Sequence, residues 1–324
     1  MCLIILWMST YPAARLVSAQ SAGGRTCIDS KQLDVLPYSY IGRTYQVFRT
    51  RKGDLEEGPG TGILIGDRFV LTAAHNILAD VLQDEFLRPA PVDAMLFRLP
   101  DGREARASEW RVFEEEKYRQ FRDSPTDADR VTARVYDVAI LKLDRPLAHC
   151  GTVETWSCPW YGSIDDSVYL RHPEWFISAY DADLNKTDRC LAERTGRPER
   201  VASSGSLRAL WRMQSEIKSG ASGGPLWIWW NAPGHTEPVP AVVGIVSGGG
   251  KGVAVGREID ATLREWITSY VRQPEGERPE EAELDDTTPP PDEEPAPVPT
   301  PPRRESPLDA ILKELCRVDP RGCE

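Results

Sequence analysis

No stretch of this 324-residue sequence is apolar for long enough to cross a bilayer. The longest run near the start covers residues 2–8, far short of the roughly 20 residues a spanning helix needs, so no transmembrane segment is expected. No cluster of Lys and Arg offers a basic face, which excludes nucleic acid as a partner. No two cysteines stand in close C-x-x-C spacing, so no structural metal is expected, and nothing in the sequence calls for a cofactor. Histidine is scarce, with four in the chain, and no internal repeat is visible.

What is present divides the chain unevenly. Residues 273–307 hold eleven acidic side chains against three arginines, and so account for most of the net charge of −11. Eleven prolines crowd residues 274–307 with almost nothing apolar among them, the composition of an extended linker rather than a packed core. Beyond it, residues 308–324 carry Leu308, Ile311, Leu312 and Leu315 at helical spacing, followed by a loop between Cys316 and Cys323. That end reads as a short helix and cysteine loop, either a docking element for a protein partner or a bare terminus. At the other end, the apolar run at 2–8 and the small residues Val17-Ser18-Ala19 read as an export signal cut after Ala19, although no positive charge precedes the run. Removing it takes Cys2 away and leaves six cysteines. An even number in an exported chain favours disulfides, with fifteen possible pairings.

Between these ends the pattern is one of short strands. The segment "TGILIGDRFVLTAAH" (61–75) is two apolar runs about a Gly66-Asp67-Arg68 turn, which predicts a hairpin. "YDVAILKLDRP" (136–146) and "PVPAVVGIVSGGG" (238–250) read as buried strands. Clear helical spacing is confined to residues 258–273, where Ile259, Leu263, Trp266, Ile267 and Tyr270 share one face. "PLWIWW" (225–230) places Trp227 and Trp229 on one strand face, predicted to pack in the core rather than to present an aromatic binding surface. Many strands and one terminal helix argue for an all-β barrel or sandwich.

The chemistry gathers around Ser222 in "SGASGGPLW" (219–227), where small neighbours leave the hydroxyl uncovered and let backbone N–H groups approach whatever it touches. A serine hydroxyl needs a base to take its proton, ordinarily an imidazole held by a carboxylate. His149, His172 and His235 sit in connections or turns. His75 differs, because it ends a buried strand behind the small pair Ala73-Ala74.

Three segments, "LTAAHN" around His75, "YDVAILKLDRPL" around Asp137 and "GASGGPL" around Ser222, resemble the signatures of the chymotrypsin/trypsin-like serine proteases, in that family's order. The resemblance covers residues 40–272. It implies two six-stranded antiparallel β-barrels, residues 40–150 and 151–273, the second carrying the C-terminal helix, after an N-terminal segment at 20–39. It implies a Ser222–His75–Asp137 triad in the cleft between barrels, an oxyanion hole from the N–H groups of Gly220 and Ser222, and a protein or peptide substrate for an exported, secreted or periplasmic, endopeptidase. Ser247 would support the Asp, and Gly248 and Gly249 would pair with the substrate backbone as an added strand. The base of the specificity pocket would fall at Glu216, with Ile217 and Lys218 beside it, favouring a basic substrate side chain, with a small or apolar one as the alternative.

Departures from the animal digestive enzymes are informative. Asn76 stands where they carry a disulfide cysteine beside the His, and Ala221 stands where they carry an Asp that pairs with the freed N-terminus. Activation by insertion of a new N-terminus is therefore not expected, and the chain resembles rather the bacterial glutamyl-endopeptidase-like branch. Val246 replaces the His that those enzymes place before the Ser-Gly-Gly strand, which disfavours an acidic preference. The resemblance also suggests bridges Cys27–Cys150, Cys158–Cys190 and Cys316–Cys323. A protease fold kept for binding or sensing, and an esterase using the same triad, are the competing functions.

Overall fold

The computed structural model describes residues 25–49, 55–83, 86–91, 94–150, 158–163, 172, 174–181, 190–202, 205–231, 237–250 and 252–271. The signal, linker and tail read from the sequence lie outside these residues, as does the Cys316–Cys323 pair. In chain order the strands are β1 (Arg25–Cys27), β2 (Ile41–Arg49), β3 (Leu55–Leu64), β4 (Phe69–Thr72), β5 (Leu78–Gln83), β6 (Phe86–Pro91), β7 (Ala94–Arg98) and β8 (Glu104–Val112). Two short helices follow, α1 (Glu115–Arg122) and α2 (Asp127–Ala133). The chain continues with β9 (Ala139–Leu143), β10 (Trp160–Tyr161), β11 (Trp175–Tyr180), β12 (Leu191–Gly196), β13 (Glu199–Arg200), β14 (Leu210–Gln214), β15 (Pro225–Trp230), β16 (Val239–Gly250), β17 (Val253–Glu258) and helix α3 (Ala261–Val271).

Six strands close the first barrel in the order β2-β3-β4-β9-β8-β7. The predicted hairpin is β3 and β4, paired from Gly62 opposite Thr72 to Leu64 opposite Val70 about the glycine turn. Burial alternates along β7, where Met95 and Phe97 point inward, as a half-buried strand requires. Their side chains pack with Leu64, Val70 and Leu141 to fill the barrel.

The second unit is a nine-stranded sheet in the order β1-β12-β11-β15-β16-β17-β14-β13, with β10 added in parallel beside β16. It curls into a half-barrel beside the closed one, so the expected two-barrel arrangement holds, with nine strands in the second unit. β12 lies toward one edge and β13 at the other, yet only Arg197 and Pro198 separate them in the chain. The sheet therefore bends back on itself at a proline, which has no N–H to extend a ladder. Trp175, Trp211, Met213, Leu226 and Val243 form its interior.

A third apolar cluster joins the two units. Ile63, Leu71 and Ile140 of the first barrel meet Phe176, Trp227 and Ile245 of the second sheet, and Leu263 and Ile267 of α3 cover them. Trp227 is fully buried here, stacked on Phe176 at 4.5 Å between ring centroids, with its Nε1–H donated to Ser178 Oγ at 3.0 Å. The tryptophan strand is thus largely core, although Trp229 remains partly exposed. α3 starts at Ala261, after Asp260, whose Oδ1 accepts the Leu263 N–H at 2.9 Å. The helices α1 and α2 had no signal in the apolar periodicity, because both are short and mostly polar, with little buried beyond Tyr118, Val131 and Ala133.

The cysteine pairing differs from the expected one: the bridges are Cys27–Cys190 and Cys150–Cys158. β1 lies antiparallel against β12 with Cys27 opposite Ala192, and that register brings Cys27 to Cys190. Cys150 is held at the first barrel, where its N–H donates to Asp67 Oδ1 at 2.6 Å, and it pairs with the cysteine eight residues on.

The sequence separations of 163 and 8 set an order of importance. In the chain-entropy model the longer loop is worth about 5 kcal/mol and the shorter about 2.5 kcal/mol. Replacing Cys27 and Cys190 together by serine should lower the urea midpoint of unfolding by clearly more than replacing Cys150 and Cys158, and equal losses would contradict this order.

Candidate active site

Three chain segments meet at the seam between the two units. β4 ends at Thr72, and one 3-10 turn, Ala74–Asn76, carries His75 into the seam, with Ala73 and Ala74 fully buried behind it. Asp137 lies on the short connection between α2 and β9, and its carboxylate is buried beneath the histidine. Ser247 arrives from the second sheet on β16.

The Asp137 carboxylate accepts three hydrogen bonds. The His75 backbone N–H reaches Oδ1 at 2.9 Å, His75 Nδ1 lies 2.8 Å from Oδ2, and the Ser247 hydroxyl donates to Oδ2. An ionised carboxylate only accepts, so Nδ1 carries the proton and Nε2 presents its lone pair outward. Burial acts to raise the Asp137 pKa, but the His75 ring and the hydrogen bonds from His75 and Ser247 outweigh it and hold the carboxyl below its ordinary 3.8.

Ser222 stands in a loop shaped by tight contacts. The Ala221 N–H donates to Lys218 O at 3.1 Å and Gly220 has φ +88°, placing glycine at the third position of a turn where type II geometry demands φ > 0. Gly223 also has positive φ, and a Cβ there would lie 2.1 Å from Thr61 O and 2.2 Å from Thr72 Oγ1. Gly220 and Gly223 are thus fixed by backbone geometry or close approach. Among the described residues, neither the Gly220 nor the Ser222 N–H donates to another group of the protein, and no hydrogen bond joins Ser222 Oγ to the His75 ring. In free enzymes that last contact is often long and tightens with substrate.

The loop is tied to the first barrel by groups that sequence reasoning had not singled out. The Thr61 N–H donates to Ser222 O at 2.8 Å and its hydroxyl to Gly220 O at 2.7 Å. Asn76 Nδ2 donates to Ser222 O and to Thr72 Oγ1, each at 3.0 Å, while Asn76 Oδ1 accepts from Gln46 Nε2 at 2.9 Å. A signal for Asn76 existed in its replacement of a cysteine, but its partners depend on the barrels' docking.

The residues expected to bind substrate are distributed around this centre. Gly248–Gly250 pair with β17 on one side, whereas the β15 ladder stops at Ile245, so beyond that residue the opposite edge of β16 has no strand partner among the described residues. Arg134 Nη1 lies against Gly248, within 2.6 Å of where a Cβ would stand. Ile217 is buried. The Glu216 side chain is 56% exposed and pairs with Lys218 at 2.7 Å, a hydrogen bond that lowers its pKa.

A family model described as Trypsin matches residues 36–267. No curated protein matches the chain by sequence. Among solved structures, that of a Glu endopeptidase in complex with MPD is similar, with a TM-score of 0.52 and 20% identity over 78% of this chain and 98% of that one. The protease Anisep from Arthrobacter nicotinovorans gives a TM-score of 0.48 and 14% identity over 72% and 96% of the two chains. A thermostable serine protease, AL20, gives 0.48 and 16% over 72% and 97%.

A depressed carboxyl pKa stabilises the fold above the unfolded-state value and ceases to do so as pH falls through the folded one. Asp137→Asn should therefore flatten the acid limb of the stability profile. Between about pH 5 and about pH 2 the wild-type urea midpoint should drop further than that of the variant, and parallel profiles would show that Asp137 is not held below its ordinary value.

Proposed function

This chain belongs to the trypsin family and is a serine-type endopeptidase, and from that premise we propose that it hydrolyses peptide bonds with Ser222, His75 and Asp137 as the catalytic residues. The observation that carries the assignment is the Asp137 carboxylate shared between His75 of one unit and Ser247 of the other, with the Ser222 loop latched beside them by Thr61.

Ser222 Oγ attacks the scissile carbonyl carbon while its proton passes to His75 Nε2. The carbonyl oxygen becomes an oxyanion and takes hydrogen bonds from the Gly220 and Ser222 N–H groups, two donors that no group among the described residues accepts from. Collapse of the tetrahedral intermediate breaks the C–N bond, and the departing amine takes the proton from His75. Water then repeats the sequence on the acyl-enzyme and releases the acid. Asp137 keeps the proton on Nδ1 and stabilises the imidazolium in each half-reaction.

Protein or peptide substrates enter as an added strand on the unpaired edge of β16, along Ser247, Gly248 and Gly249, with the segment through Glu216, Ile217 and Lys218 forming the opposite wall. The two disulfides fit export to an oxidising compartment, secreted or periplasmic. The tail beyond the linker is a docking element for a protein partner and plays no part in the reaction.

Ser222→Ala, His75→Ala and Asp137→Asn should each lower kcat/KM on a peptide substrate by about 10⁴-fold or more while leaving far-UV circular dichroism unchanged. Double variants should be little worse than single ones, because the residues act as a unit. Undiminished activity in Ser222→Ala would end the assignment. Extra residues ahead of Ser21 should leave turnover intact, since Ala221 offers no carboxylate to a new α-ammonium; activity gained only after a specific N-terminal cut would refute this.

A further inference from the structure

Arg194 is one of the largest side chains that are wholly buried, a costly place for a cation. It lies on β12, facing the segment that leads from β14 to Ser222. One end of its guanidinium meets the Asp181 carboxylate, itself buried, through Nη2. Its Nε–H is donated to the backbone oxygen of Glu216 at 2.6 Å. A second cation closes the cluster: Arg25 of β1, opposite Arg194 in the β1–β12 ladder, donates from Nη1 to Asp181 Oδ2 at 3.0 Å.

The placement matters because of what Glu216 begins. After Gln214 the chain leaves its ladder and runs through Glu216, Lys218 and Ser219 into the Gly220 turn. Arg194 holds the near end of that segment as Thr61 holds its far end at Gly220 and Ser222. Ala221, fully buried, lacks the carboxylate with which digestive relatives draw an inserted N-terminus toward this loop.

We infer that the Arg25–Asp181–Arg194 cluster is the internal positioning device that holds the Glu216 to Gly220 segment in its active geometry, with the side chain of Arg25 and the buried Arg194 supplying the cations that relatives take from a processed N-terminus. The inference rests on the triad reading given above and deepens it. None of the three residues touches substrate. They act on the donor Gly220 N–H through the backbone of Glu216, and the device is completed by folding, when β1 docks on β12, without a proteolytic cut.

The test uses the full chain and two reagents that need no specificity pocket, a fluorophosphonate probe and p-nitrophenyl acetate. Asp181→Asn should slow labelling and ester acylation by about 10- to 100-fold, the scale of a misplaced oxyanion donor. KM for the ester should stay close to wild type, and the far-downfield proton resonance of the His75–Asp137 hydrogen bond should persist. Arg25→Ala should show a smaller loss of the same kind, and Arg25→Lys should restore most of it. Arg25 is partly exposed, so its variants decide the matter if Asp181→Asn fails to fold. Wild-type labelling rates in folded Asp181→Asn or Arg25→Ala, or loss of the downfield resonance together with activity, would overturn the inference. Ser222→Ala, run alongside, separates the two readings: full activity there removes the triad, whereas an inactive Ser222→Ala beside fully active Arg25 and Asp181 variants removes the positioning device alone.

Discussion

A buried carboxylate bridges the two halves of this molecule at the candidate active site. Asp137 stands on the first barrel yet accepts a hydroxyl from Ser247 on the second sheet, and an ionised side chain at such a seam survives only when donors replace the water it has lost. Its three donors come from His75 twice and Ser247 once. The position of β16 relative to β4 is therefore coupled to the state of the histidine. A shift of the second sheet away from the first barrel would strip Asp137 of a donor before it broke any strand ladder.

The Ser222 loop obeys the same constraint from the other direction. Its backbone oxygens at Gly220 and Ser222 face the first barrel and are met there by Thr61 and Asn76, while Gly223 turns back to pair its N–H with Val246 O at 2.8 Å. The loop carries its carbonyls toward fixed donors, and this orientation leaves its N–H groups at Gly220 and Ser222 for another acceptor. In the mechanism proposed above, preorganisation follows from satisfying one set of polar groups within the protein and leaving the complementary set outward.

Much of this was legible in the sequence because it is local. The apolar runs about a Gly-Asp-Arg turn, the small pair before His75 and the glycines flanking Ser222 each encode backbone conformation within a few residues. The helix beyond Asp260 declares itself by periodicity in the same way. What escaped is set by non-local register. The pairing of Cys27 with Cys190 depends on β1 lying opposite β12, and the bend at Arg197 and Pro198 that curls the second sheet shows only once both its edges are known. Arg194 is the sharpest case: in the string "RCLAERTG" it reads as a surface cation, since strand alternation cannot reveal that Asp181 and a backbone oxygen await it inside.

Two substitutions then share one logic. Where digestive relatives brace the histidine turn with a disulfide, this chain places Asn76, whose amide donates to Thr72 and Ser222 while its oxygen accepts from Gln46. A disulfide would link the histidine segment to its own barrel, whereas the amide also reaches the Ser222 loop of the other unit. Net hydrogen bonds of this kind are worth only about 1 kcal/mol each, less than a covalent bridge, but a buried amide deprived of its partners is costly, so the arrangement resists partial separation of the units. A covalent brace on one barrel gives way to a polar contact across the cleft, and in the positioning role we infer for the ionic cluster around Asp181 the same trade recurs, with side-chain charges standing in for a cleaved terminus.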